Sequence, residues 1–124
     1  MVAAREFAMH LIRPYCSSEL EEIDILLALQ EALANAVLHG CQDNPSKTIC
    51  CRVDIDAAAF TITIRDPGPG FDPEAAAKFT LAGATTAEHG RGIGLMRSLM
   101  NDVTYGRGGS EVCLRKTRAV PATA

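Results

Sequence analysis

Three separated stretches of this sequence combine residue types and spacings that suit ligand binding, and the longest of them covers residues 18–40. Its sequence, SELEEIDILLALQEALANAVLHG, places Glu31, Asn35 and His39 at intervals of four. On a helix of 3.6 residues per turn, such positions stay within about 80° of one another. A carboxylate, an amide and an imidazole therefore share one edge of a predicted helix, either as solvated surface groups or as part of a site.

The second stretch, RDPGPGFDP at residues 65–73, follows a predicted strand. Asp66, at the end of that strand, could accept a hydrogen bond from an exocyclic amine such as that of adenine. Gly68 and Gly70 permit a tight turn and the close approach of a flat ring. The alternative is a β-turn that contains an aspartate with no ligand, and this segment alone does not distinguish the two.

The third stretch, HGRGIGL, carries glycines at positions 90, 92 and 94, immediately before and within the start of a predicted helix. Backbone amides at a helix N-terminus bind anions, so phosphate is the expected ligand, and a flexible hinge is the alternative. The pattern is not the dinucleotide-binding GxGxxG fingerprint, because it follows a loop rather than a strand. It is not a P-loop either, because GK[ST] does not follow.

The helix that carries the first group has well-marked ends. Ser18 and Glu21 have the spacing of a capping box, and Gly40 suits the left-handed position after a helix C-terminus. The apolar stripe of this helix is predicted to contain Ile23, Leu26, Leu27, Ala34 and Val37. An amphipathic helix of this kind packs its stripe on a core and leaves its polar edge accessible.

The other elements follow from apolar periodicity and turn residues. Further helical segments are predicted at 2–13, 74–79 and 92–101. The first is expected to pack through Phe7 and Leu11, and the last through Ile93, Leu95, Met96, Leu99 and Met100. Residues 80–91, TLAGATTAEHGR, are predicted to form a loop that could act as a lid.

Two β-hairpins complete the prediction, with strands at 48–55, 60–65, 102–107 and 110–116. Ile62 and Ile64 are expected to face the core. This order predicts about four main strands in one mostly antiparallel sheet with about three helices on one face, an α/β two-layer sandwich.

Composition limits the classes of function. With 124 residues the chain is predicted to be one domain, 1–124, with a frayed tail at 117–124. A net charge of −3 and the lack of a basic run argue against direct nucleic-acid binding. No apolar stretch reaches membrane-spanning length and no signal peptide is recognisable, so a soluble cytoplasmic protein is expected. The 5 cysteines lack CxxC spacing and are expected to be reduced thiols.

The three stretches together resemble a known set of motifs. ExxxNxxxH on a helix, DPGPGF after a strand and GRGIGL leading into a helix are similar to the N, G1 and G2 boxes of the superfamily that contains gyrase B, histidine-kinase catalytic domains and MutL (GHKL). Within it, EALANAVLHG and GRGIGLMRSLMNDV resemble the anti-sigma factor serine/threonine kinases. The resemblance covers nearly the whole chain and implies the Bergerat-type ATP-binding fold.

The resemblance implies roles for the central helix. Asn35 would coordinate the Mg²⁺ that bridges the ATP phosphates, and Glu31 would act as general base toward the attacking hydroxyl. His39 matches the motif too and is expected to support the helix and loop.

It also implies nucleotide contacts at Asp66, Gly68, Gly70, Arg91, Gly92, Gly94 and Ser110. Asp66 would recognise the adenine amino group in a pocket shaped by the first two of these glycines. The amides of Gly92 and Gly94 would face phosphate, and Arg91 would add a cation near the β or γ phosphate. Ser110 would stand near adenine.

Two features depart from the family pattern. The family has a strand before the first helix, whereas this sequence begins on that helix, so one sheet edge is expected to be missing or supplied by a partner. His89 stands just before the GRG triplet, where the family has an arginine, and this leaves the γ-phosphate contacts unassigned.

The function implied by the resemblance is an ATP-dependent serine/threonine protein kinase. It would phosphorylate an anti-anti-sigma antagonist protein and would hold off a sigma factor when unphosphorylated antagonist is scarce, with a homodimer as one possible state. The alternative is a nucleotide-responsive interaction module with little or no kinase activity. A catalytic piece of a histidine kinase ranks last, because the sequence has no long helical hairpin to carry a phosphoacceptor.

Overall fold

The computed structural model describes residues 2–37, 48–68 and 88–118. Its helices are α1 (Val2–Ile12), α2 (Glu19–Asn35) and α3 (Glu88–Leu99). Its strands are β1 (Cys50–Ile55), β2 (Ala59–Arg65), β3 (Asp102–Gly106) and β4 (Glu111–Thr117), and 3₁₀ turns cover Arg13–Tyr15 and Arg107–Gly109. His39, Gly40, Gly70 and the helical turn predicted at 74–79 lie outside the described residues.

The strands form a fully antiparallel sheet in the order β1-β2-β4-β3. Ile62 on β2 pairs with Val53 on β1 and with Leu114 on β4. Ile62 and Ile64 are 0% and 1% exposed and face the helices, as predicted. The described residues therefore form a two-layer α/β sandwich, and the predicted fold class is confirmed.

The central helix buries a different stripe from the predicted one. Its buried apolar residues are Ile25, Ala28, Leu29, Ala32, Leu33 and Ala36. Ile23 and Leu27, which were expected in the core, are 46% and 38% exposed. The segment IDILLALQEALA is apolar at most positions, so two stripes a residue or two apart both satisfy helical spacing, and only the position of the sheet selects between them.

The first helix shows the same shift of phase. Phe7 and Leu11 were predicted to pack, but they are 54% and 38% exposed, and the helix instead buries Ala8, Met9 and Ile12. The helix ends at Ile12, just before the 3₁₀ turn that contains Pro14.

The N-terminus of α2 is capped largely as its spacing predicts. The Ser18 hydroxyl accepts a hydrogen bond from the Glu21 backbone amide at 3.1 Å. The reciprocal bond is displaced by one residue, since the Glu21 carboxylate accepts from the amide of Ser17 at 2.9 Å rather than from that of Ser18. The far end of the helix is at Asn35, where α-helical hydrogen bonding gives way to a π-type turn at residues 36–37.

The third helix, α3, is helical from Glu88, whereas its predicted start was residue 92, so Gly90, Gly92 and Gly94 all lie within it. The loop predicted at 80–91 lies outside the described residues as far as 87. Its last four residues, assigned to a loop because the segment is small, glycine-containing and weakly patterned, are helical instead. Ile93 and Met96 are fully buried, and this packing outweighs local propensity. Leu95, predicted to pack, is 38% exposed. In the described part of the chain no helix is both long enough and apolar enough to cross a membrane.

Candidate functional site

A small pocket opens where the end of α2 meets the ends of β2 and β4. Its walls are Ala32, Asn35, Ala36, Ile64, Asp66, Tyr105, Gly109, Ser110 and Val112, and it encloses about 230 Å³ of empty space, part of it open to solvent. Both layers contribute, the helix from one side and the sheet from the other. The pocket brings together three residues singled out from the sequence, namely Asn35, Asp66 and Ser110.

Asn35 occupies the last position of α2 and is only 5% exposed. Its amide nitrogen Nδ2 is buried and has no hydrogen-bond partner among the described residues. A buried amide group without a partner is costly, commonly by about 1–3 kcal/mol. Such a residue at a pocket wall is a candidate for ligand contact.

Asp66 follows the last residue of β2 and is held by two backbone contacts. Its backbone amide donates to the carbonyl of Ser110 at 2.9 Å. Its carboxylate oxygen Oδ1 accepts from the amide of Gly68 at 2.8 Å, which closes a tight turn. The carboxylate is therefore oriented before any ligand arrives, and Gly68 acts here through its backbone.

Ser110 is 8% exposed and lies after the turn between β3 and β4. Its hydroxyl donates to the carbonyl of Arg107 at 3.0 Å, across a turn in which Arg107, Gly108 and Gly109 all have positive φ angles of 53°, 68° and 102°. The hydroxyl thus stabilises the turn, and the carbonyl of the same residue holds Asp66.

Tyr105 lines the pocket as well, although it belongs to none of the three sequence motifs. Burial raises the pKa of its hydroxyl to about 12, while Arg97 and the side chain of Asn35 act in the opposite direction. Strand alternation could have identified it, because Val103 and Tyr105 in DVTYG must point to the same face of the sheet.

The other predicted residues have different positions. Glu31 lies one turn before Asn35 on α2, is partly buried and does not belong to the described lining of the pocket. Gly94 lies on an exposed part of α3, where an added Cβ would meet no atom within 4 Å. Arg91 and Gly92 belong to the same helix, near its start.

Comparison with known proteins agrees with this arrangement. Residues 1–116 match the model of a family described as the histidine kinase-like ATPase domain. This match includes every described residue except Thr117, the last residue of β4, and Arg118.

Relatives with the name anti-sigma F factor are also similar to this chain. The protein from Halalkalibacterium halodurans is 31% identical over 85 residues, which cover 67% of this chain and 58% of the relative. Those from Anoxybacillus flavithermus and Bacillus cytotoxicus are each 31% identical over 87 residues, covering 68% of this chain and 58% and 60% of the relatives. The matched region thus spans less than two thirds of these relatives. On the family match, this chain belongs to the histidine kinase-like ATPase domain family, within the GHKL superfamily.

Proposed function

We propose that this domain binds ATP with Mg²⁺ and is an anti-sigma regulatory factor of the cytoplasm with serine/threonine kinase activity. Its phosphoryl acceptor would be an anti-anti-sigma antagonist protein, and its other partner a sigma factor. The observation that carries the nucleotide site is the convergence of Asn35 and Asp66, from opposite layers of the fold, on one pocket. The names of the similar relatives support the regulatory role.

The residues present fit a magnesium-bound nucleotide. Asn35 places a buried amide, without a hydrogen-bond partner for its nitrogen among the described residues, at the pocket wall. No group of three or more His, Cys, Asp or Glu side chains in the described ranges is arranged to hold a metal ion. A single amide ligand nevertheless suits Mg²⁺, which usually retains water and takes its other ligands from phosphate oxygens.

Each residue would then have a defined task. Asp66 would accept a hydrogen bond from the adenine amino group, since its carboxylate is already oriented by Gly68. Asn35 would hold the metal through its amide oxygen. Bound Mg²⁺ would neutralise phosphate charge and favour in-line transfer.

The start of α3 would lie against the phosphates, where the lack of side chains at Gly92 and Gly94 would allow close approach, with Arg91 as a nearby cation. Glu31, one helical turn from Asn35, would accept the proton of the attacking hydroxyl group.

A transfer assay tests the kinase. The protein is incubated with γ-labelled ATP, Mg²⁺ and a candidate antagonist, beside a Glu31→Gln variant. We expect label on the antagonist with the wild-type protein and a loss of about 100-fold or more with the variant, at unchanged ATP affinity in calorimetry. Equal transfer by the two proteins would contradict the general-base role, and failure of the wild-type protein to bind ATP would contradict the nucleotide site.

One observation favours a second function. Glu31 is not part of the described pocket lining, which is compatible with a module that binds nucleotide and partner without transfer. This alternative predicts ATP-dependent binding of a sigma factor, no label on the antagonist, and an equal result for Glu31→Gln.

A further inference from the structure

Tyr105 and Asn35 both line the pocket, one from β3 and the other from the end of α2. The hydroxyl oxygen of Tyr105 and the amide nitrogen of Asn35 are both buried. The two groups do not meet the distance and angle of a hydrogen bond, yet the amide favours the charged form of the hydroxyl and so lowers its pKa. The two side chains are therefore close enough to interact.

The orientation of the Asn35 amide matters for the site proposed above. An asparagine side chain presents an acceptor oxygen at one end and a donor nitrogen at the other, and only the oxygen can bind a cation. A group that engages the nitrogen selects the productive orientation, in the way that partners behind a ligand orient metal-binding side chains. The Tyr105 hydroxyl lies in the lining of the same pocket and interacts with the Asn35 side chain.

We propose that Tyr105 is a positioning residue: when the metal is bound, its hydroxyl accepts from the Asn35 amide nitrogen and so directs the amide oxygen toward the metal. This inference rests on the proposed nucleotide function. Tyr105 is well placed for the task, because β3 is fixed by its pairing with β4, including the direct pair Tyr105–Val112. A tyrosine hydroxyl can both accept from Asn35 and donate elsewhere.

The alternative is that the ring of Tyr105 only fills space. The Tyr105→Phe variant separates the two roles because it keeps the ring and removes the hydroxyl group. A matched control is Tyr15→Phe, since Tyr15 is the only other tyrosine, is 52% exposed and lies against Arg118 rather than in the pocket.

The first measurement uses the nucleotide-free protein. Side-chain amide resonances of the 13.2 kDa chain are recorded by two-dimensional ¹H–¹⁵N NMR, and that of Asn35 is assigned by its loss in Asn35→Ala. The other amide side chains are those of Gln30, Gln42, Asn44 and Asn101. We expect Tyr105→Phe to shift the Asn35 resonances selectively and Tyr15→Phe to leave them in place.

The second measurement compares ATP affinity with Mg²⁺ and with excess EDTA by calorimetry. Tyr105→Phe is expected to weaken binding about three- to tenfold with Mg²⁺ and by less than about twofold without it, as loss of one neutral hydrogen bond to a metal ligand predicts. In an Asn35→Ala background the same substitution is expected to have no further effect.

Three results would overturn the inference. They are unshifted Asn35 resonances in Tyr105→Phe, an equal loss of affinity with and without Mg²⁺, and an undiminished effect in the Asn35→Ala background. None of these results would contradict the proposed nucleotide site. A wild-type protein that binds no ATP under either condition would instead overturn the proposed function together with this inference.

Discussion

The backbone amide of Asp66 donates to the carbonyl of Ser110 at 2.9 Å. This bond extends the β2–β4 ladder by one step beyond the pair Arg65–Glu111. Two residues from distant parts of the sequence are thereby held at one wall of the pocket by the main chain alone. Side-chain substitution at Asp66 should consequently alter recognition while leaving this junction in place.

Asp66→Asn is the first variant that we predict to lose nucleotide affinity with little loss of stability. Asparagine can still accept from Gly68 through its amide oxygen, so the turn should persist. The other end of the side chain would then be an amide nitrogen, which is a donor. The adenine amino group is also a donor, so the two could not form a hydrogen bond. We expect ATP affinity to fall about tenfold or more, as for loss of a hydrogen bond to a charged group.

The measurement is calorimetry with ATP, accompanied by a thermal unfolding curve. An unchanged affinity at unchanged stability would remove Asp66 from the proposed site. As a control, Asp54→Asn alters a carboxylate on β1 whose partner is the exposed Arg52, and it should change neither property.

The strands could be predicted from sequence because their signal is local. β-branched runs such as FTITIR alternate cleanly, and β2 begins one residue before its predicted start and ends where predicted. The phase of the helices could not be predicted in the same way. In α2 both Ile23 and Ile25 fit an apolar stripe, and only the sheet beneath the helix decides that Ile25 is buried.

The candidate site, too, could be predicted only in part from the sequence. The resemblance to a family was the only reason to expect Asn35, Asp66 and Ser110 in one site. No local feature of their separate segments indicates that they lie close together. Tyr105 carries no motif signal, and its place in the pocket depends on the pairing of β3 with β4 and on the end of α2.

Two glycine substitutions should have opposite effects on stability although both positions are open. Gly94→Ala places a methyl group where no atom lies within 4 Å, on a regular helix, and should add about 0.8–1 kcal/mol to the free energy of unfolding. Gly108 has a φ of +68°, so Gly108→Ala should cost about 1–2 kcal/mol through backbone strain. Urea denaturation followed by circular dichroism measures both.

The same Gly94→Ala variant tests the proposed phosphate contact. If the backbone of Gly94 approaches a phosphate, the added methyl group should weaken ATP binding even as the fold becomes more stable. Stabilisation without any loss of ATP affinity would exclude Gly94 from the nucleotide contacts.

Stability should decline at alkaline pH through two partly buried groups. Burial, with added repulsion from Glu21 and Glu22, raises the pKa of the Cys16 thiol from 9.0 to about 11, and burial raises that of Tyr105 from 10.0 to about 12. Because both pKa values are higher in the folded state, their contribution is complete below about pH 9 and is lost as the pH rises through the folded values.

Urea denaturation at a series of pH values between about 8 and 11 follows this loss. Cys16→Ala should flatten the decline above about pH 9, whereas Cys50→Ala, which removes an exposed thiol, should leave its slope unchanged. Identical slopes in the wild-type protein and Cys16→Ala would show that this thiol does not contribute.

Lys116 connects three elements and should contribute far more to the free energy of unfolding than an ordinary surface cation. Its ammonium group on β4 donates to the Asp24 carboxylate of α2 at 3.2 Å and to the carbonyl of Leu99, the last residue of α3, at 2.6 Å. The side chains of Lys116 and Asp24 are only 19% and 21% exposed. Lys116→Met keeps the aliphatic stem but leaves the carboxylate and the helix-end carbonyl without this donor, so we expect a loss of about 1.5–3 kcal/mol in the free energy of unfolding.

The matched control is Arg52→Met on β1. Arg52 pairs with Asp54 at 2.9 Å, but its side chain is 77% exposed, and ion pairs of that kind contribute about 0–1 kcal/mol. Raising the salt concentration should weaken the exposed pair more than the partly buried one, because screening acts mainly through solvent. If urea denaturation gave equal losses for the two variants, the contact of Lys116 with the end of α3 would carry no stability, and the helix would have to be held against the sheet by its apolar face alone.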